Sequence, residues 1–135
     1  MMKEEDAMGL MVLISPVLWT NDHCGKIGLI DFTDFEKNEV WVAFDDDEVE
    51  CFSSKIIFVL KTTEELNALS EKYRSVNWPP VSQNLKTLAM LQASGSTEQL
   101  RKAYELVQDD PELHREATIR LNEVMDLTPA QKVGR

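Results

Sequence analysis

The chain has 135 residues, with 24 acidic side chains against 14 basic ones and a net charge of −10 at neutral pH. Its 43% hydrophobic and 28% charged content belongs to a folded protein and excludes wholesale disorder. Phosphate recognition draws most of its affinity from clustered Lys and Arg, so an excess of acid this large argues against direct nucleic-acid binding.

The chain opens with Glu4-Glu5-Asp6 ahead of a short apolar run from Gly9 to Ile14. A signal peptide needs a basic start and a longer apolar core, and a membrane span needs about 20 apolar residues. The expectation is therefore a cytoplasmic chain with no membrane segment, with residues 1–8 as a flexible tail and Cys24 and Cys51 as free thiols.

Strand signals follow from Leu10 to Lys61. Leu10–Ile14, Lys26–Phe32, Glu39–Phe44 and Ile56–Leu60 are rich in β-branched and aromatic residues, and Glu48–Phe52 is a weaker fifth run. Asp34–Asn38 and Asp45-Asp46-Asp47 supply the turn residues between them. Five short strands joined by tight turns bury their apolar faces most economically by curling, so residues 9–61 are expected to form a small, partly open barrel.

Helical signals take over at residue 62. Thr62 and Glu65 have the spacing of a capping box ahead of Leu66, Leu69 and Tyr73. Asn77-Trp78-Pro79-Pro80 reads as a stiff bend, with Trp78 as a hinge plug. The second helix carries Val81, Leu85, Leu88 and Leu91 and stops near Gly95. The third starts at Ser96, paired with Gln99, and carries Leu100, Ala103, Tyr104 and Val107. Asp110 and Pro111 start a fourth with Leu113, Ala117, Leu121 and Val124. The expected class is α+β: a five-stranded barrel, then a bundle of about four helices over 62–127, then a second flexible tail over 128–135.

The stretch Gly25-Lys26-Ile27-Gly28-Leu29-Ile30, the run Val40–Asp46, and Phe52 with Ile56–Leu60 together resemble small SH3-like barrels of the KOW and Tudor-like kind. The resemblance covers about 50 residues. It implies a glycine-bracketed bend at Gly28, an aromatic plug at Phe52, and a role in recognising RNA, DNA or protein. KOW-type nucleic-acid binders carry basic loops, whereas this chain has Asp22, Asp31, Asp34, Asp45, Asp46, Asp47 and Glu48 there. A barrel followed by helices is also similar in outline to CarD-type transcription regulators, with no motif in common.

Reactive residues are few. His23, Cys24, Cys51 and His114 are ligand types for zinc, but adjacent His23 and Cys24 lack the gap of a chelating pair. The acidic run Asp45–Glu48 lacks the spacing and glycine of a calcium loop and reads as a solvated turn. Cys24 has a neighbouring His but sits among carboxylates that oppose a thiolate. No metal, no cofactor and no catalytic constellation is expected.

The aromatics carry the functional lead. Val40, Val42 and Phe44 alternate with Trp41, so if they fill the core Trp41 faces outward. The helical half is its expected cover. Otherwise Trp41 joins Trp19 and Phe35 in a patch rimmed by Asp45, Asp46 and Asp47, suited to a protein partner with a basic surface. Residues 1–61 hold 13 acids and 5 bases, which favours the same partner. The expected function is a non-catalytic interaction module of unspecified oligomeric state. The alternative is a nucleic-acid-associated regulator using Arg101, Lys102, Arg115 and Arg120.

Overall fold

Alternating apolar residues and turn-forming Asx residues organise the first half of the chain into a meander. In the computed structural model, which describes residues 4–15, 25–76 and 79–124, β1 (Met11–Ile14), β2 (Ile27–Asp34), β3 (Glu39–Ala43) and β4 (Val49–Phe52) follow one another. The two visible hairpin turns use the same chemistry. Asn38 N–H donates to the Phe35 carbonyl at 3.1 Å and Asp47 N–H to the Phe44 carbonyl at 3.1 Å. Asn38 (φ 55°) and Asp47 (φ 68°) take the left-handed conformation that Asx side chains tolerate.

A single 3₁₀ turn, Ser54–Ile56, capped by the Ser53 side chain, leads into β5 (Ile57–Leu60). Asn38 ties this turn to the first hairpin, its Oδ1 accepting from the Ser54 N–H at 3.0 Å and its Nδ2 donating to Ser53 Oγ at 3.0 Å. β5 pairs with β1, and the short β6 (Thr118–Arg120) lies beside β5.

The mixed α+β class is as expected, while neither a count of five strands nor a closed barrel is seen among the described residues. Among the described residues six strands run in the order β4-β3-β2-β1-β5-β6, an open sheet with β4 and β6 at its ends. The sixth strand interrupts what the sequence pattern presents as one helix from Asp110 to Val124. Helix α5 (Pro111–Ala117) stops where Thr118 and Ile119 bring β-branched side chains, and Thr118 Oγ1 bonds back to the His114 carbonyl.

Among the described residues, those up to Val59 with Ile119–Val124 form one unit and those of Leu60–Thr118 the other. In the first, Val12, Ile14, Ile30, Val40, Val42, Phe44, Phe52, Ile57 and Val59 form the core, each aliphatic contributing roughly 1.5–3 kcal/mol by its burial. Phe44 and Phe52 meet edge to face, with centroids 6.0 Å apart. Two further corrections follow. The turn α1 (Glu4–Ala7) places Ala7 fully inside this core, so the segment expected as a loose tail is structured from Glu4. Leu121, from α6 (Leu121–Val124), also belongs to it, although residues 62–127 were expected to be wholly helical-segment.

Gly28 is required by close approach and not by curvature. An added Cβ would lie 2.5 Å from Val42 Cγ1 and 2.9 Å from the Ala43 carbonyl oxygen.

In the second unit, α2 (Thr63–Ser75) has the reciprocal Thr62–Glu65 capping box. Helix α3 spans Pro79–Ala93, so Pro79 and Pro80 begin that helix instead of only bending the chain before it. Helix α4 (Thr97–Asp109) is capped by Ser96 and α5 by Asp110. Leu60, Leu66, Val81, Leu85, Leu88, Ala89, Ala103, Tyr104, Val107, Leu113 and Ala117 are its buried apolar side chains among the described residues. Trp78 and residues 125–135 lie outside the described residues.

Candidate functional site on the outer face of β2 to β4

Strand β3 follows strict alternation, with Val40 and Val42 buried and Trp41 turned outward. Trp41 is 37% exposed. Its cross-strand partners are Phe32 on β2 and Cys51 on β4. The next rung on the same face is Leu29, Ala43 and Val49. Phe32 is 53% exposed, and Leu29 and Val49 are exposed as well. Six apolar side chains in two adjacent rungs thus form one continuous face.

Phe32 reaches this face through a β-bulge. Ile30 pairs with Val42 but the next pair is Phe32 with Trp41, so Asp31 is an additional residue on β2. Without the bulge Asp31 would oppose Trp41 and Phe32 would enter the core. With it, Thr33 enters instead, 4% exposed, and its hydroxyl finds no hydrogen-bond partner. A buried hydroxyl of that kind costs about 1–3 kcal/mol.

Acid borders the face at both ends. Asp34 pairs with Glu39 on the following rung, and exposed Asp45, Asp46, Asp47 and Glu48 connect β3 to β4 beyond Ala43 and Val49. Between residues 25 and 59 there are nine acids and three bases. Part of this acid serves the turn, since the Asp46 carboxylate accepts the Glu48 N–H at 3.0 Å. Cys51 is a free thiol on the same face, and partial burial together with nearby Glu39 pushes its pKa up, away from the reactive thiolate.

Of the sequence candidates, Trp41 and Asp45–Asp47 lie on or beside this face. Phe35 does not. It is 6% exposed and packs in the sheet core, so its place in the aromatic patch is corrected and Phe32 takes it. Trp19, His23 and Cys24 lie outside the described residues. Strict alternation hides Phe32, since the Ile30-Asp31-Phe32-Thr33 order fits it, with Ile30 and Phe32 inward and Asp31 and Thr33 outward.

The basic residues of the alternative reading are divided between the two units. Arg101, Lys102 and Arg115 belong to the helical unit, with Arg115 3.9 Å from Glu116, while Arg120 lies over the Phe58 ring in the sheet unit. Among the described residues no three His, Cys, Asp or Glu side chains cluster as a metal site, and no helix is long and apolar enough to cross a membrane. No family model, curated protein or solved structure matches the chain.

Proposed function

We propose that this chain is a non-catalytic protein-interaction module of the cytoplasm, and that the outer face of β2–β4 receives a partner protein through a basic surface. The observation that carries this reading is the bulge at Asp31. It removes an aromatic from the core, buries an unsatisfied Thr33 hydroxyl, and sets Phe32 beside Trp41 in the open. A local departure that costs stability and exposes two aromatics is the pattern of a functional surface. Aromatic anchors ringed by carboxylates suit Lys and Arg, whose stems pack on rings while their charges meet acid.

We also read the sheet as an open member of the small SH3-like class. In support, four strands form a meander, a 3₁₀ turn precedes β5, and β5 returns to pair with β1. Function is argued from the face and not from that likeness.

Selection of random displayed peptides on the immobilised chain tests the proposal. Recovered peptides should be enriched in Lys, Arg and aromatic residues, and should bind Trp41→Ser and Phe32→Ser at least about tenfold more weakly than wild type. Equal binding to wild type and both variants, or recovery without basic enrichment, overturns it.

A further inference from the structure

The hydrogen-bonding phase of β4 adds a second feature to the same face. The Phe44 N–H donates to the Glu48 carbonyl at 2.9 Å, which makes Phe44 and Glu48 a hydrogen-bonded pair. Antiparallel ladders alternate, so Val42 with Glu50 and Val40 with Phe52 are also hydrogen-bonded pairs, while Ala43 with Val49 and Trp41 with Cys51 are not. The N–H and C=O groups of Val49 and Cys51 therefore point away from β3. That side is the open end of the sheet, because β4 is its last strand.

We propose that β4 is a docking edge at which an extended, basic segment of a partner protein adds as a further strand, a mode that rests on the interaction reading above. The two residues that present backbone groups to the edge, Val49 and Cys51, are the same two that carry the outer apolar face. A strand bonded there sets its alternate side chains beside Val49, Cys51 and Trp41, continuing that face. Its intervening side chains fall opposite Glu50, which is half-buried on the other face of the edge. The matching segment has the pattern apolar, basic, apolar.

Exposed edges are commonly blocked by Pro, by shortness or by charge; the four residues Val49-Glu50-Cys51-Phe52 have neither Lys nor Pro, and their one charge, Glu50, opposes an acidic strand and not a basic one. The opposite edge, β6, has only three residues. A second copy of this chain is a poor occupant, since antiparallel pairing of two β4 edges centred on Val49 or Glu50 sets Glu50 against Glu48 or Glu50 of the other copy. Charge selects a basic partner.

The test uses a capped heptapeptide alternating lysine with valine and phenylalanine, and a control of the same composition with the lysines in one block. On the whole chain, the alternating peptide should bind preferentially, and exchange of the Val49 and Cys51 amide protons should slow on binding. Proline at either position removes an edge donor but no ladder bond, so Val49→Pro and Cys51→Pro, checked for an intact thermal transition, should each bind roughly three- to tenfold more weakly. If both peptides bind alike and lose affinity in Trp41→Ser while the two amides exchange unchanged, strand addition is overturned and the docking face stands. Binding of neither peptide also overturns strand addition, leaving the face to be judged by the peptide selection. Concentration-dependent dimerisation with protection of the same amides overturns the basic partner in favour of a second copy.

Discussion

Phe32 and Thr33 occupy the sides of β2 opposite to those that alternation assigns them, and this exchange is what makes the outer face aromatic. Val40, Val42 and Trp41 were legible because the extra residue of the bulge lies on β2, so β3 itself keeps period two throughout. Phe35 was not, because it sits in a turn, where neither period applies, and its burial depends on the chain folding back over the core. Asn38 was legible as a turn residue but not as the acceptor for the Ser54 N–H sixteen positions on. Because the Thr33 hydroxyl is buried without a partner, removing it should help. Thr33→Val keeps the shape and deletes the hydroxyl, so urea unfolding should show a gain of about 1 kcal/mol. A loss in that variant would mean that the hydroxyl has a partner and that the bulge costs the core nothing.

At the scale of elements, capping signals located the helices well because each is a local exchange of hydrogen bonds written in adjacent residues. Thr62 with Glu65 and Asp110 with Pro111 behave as their spacing predicts, whereas Ser96 accepts the Gln99 N–H at 3.4 Å as a cap without the full box. The short β6 was illegible, since its pairing with the sheet is long-range and the apolar spacing Leu113, Ala117, Leu121 is that of an uninterrupted helix. Small polar residues in the α2–α3 contact were also invisible to an apolar count. Ser70 Oγ donates to the Ser82 carbonyl and Ser82 Oγ to the Ser70 carbonyl, each at 2.8 Å, which needs closely approaching backbones. Close packing is then the larger constraint. Ser70→Ala should cost about 1 kcal/mol or less, and Ser70→Val about 1–3 kcal/mol through overpacking, both read from chemical unfolding. Equal costs would assign the contact to hydrogen bonding alone.

For the molecule as a whole, net charge was legible from composition, but which groups set its response to pH depends on burial. Tyr104 is fully buried, and burial raises its hydroxyl pKa far above the ordinary value of about 10, opposed only in part by the Leu60 N–H that donates to it at 3.0 Å. Above pH 10 the unfolded chain releases this proton while the folded one keeps it, so stability falls as pH rises from there. His114 acts at the other end. Burial lowers its pKa below 6.5, so beneath that value the unfolded chain binds a proton that the folded chain resists, and stability falls as pH drops. Urea unfolding across pH should therefore decline on both sides, and each decline can be assigned by a variant. His114→Gln should flatten the limb just below pH 6.5. Tyr104→Phe should flatten the limb above pH 10, while losing about 1–3 kcal/mol at neutral pH because the Leu60 N–H is left buried without its acceptor. Each variant is compared with wild type at the same pH, so limbs that stay parallel to wild type would remove these two residues as the cause of the decline.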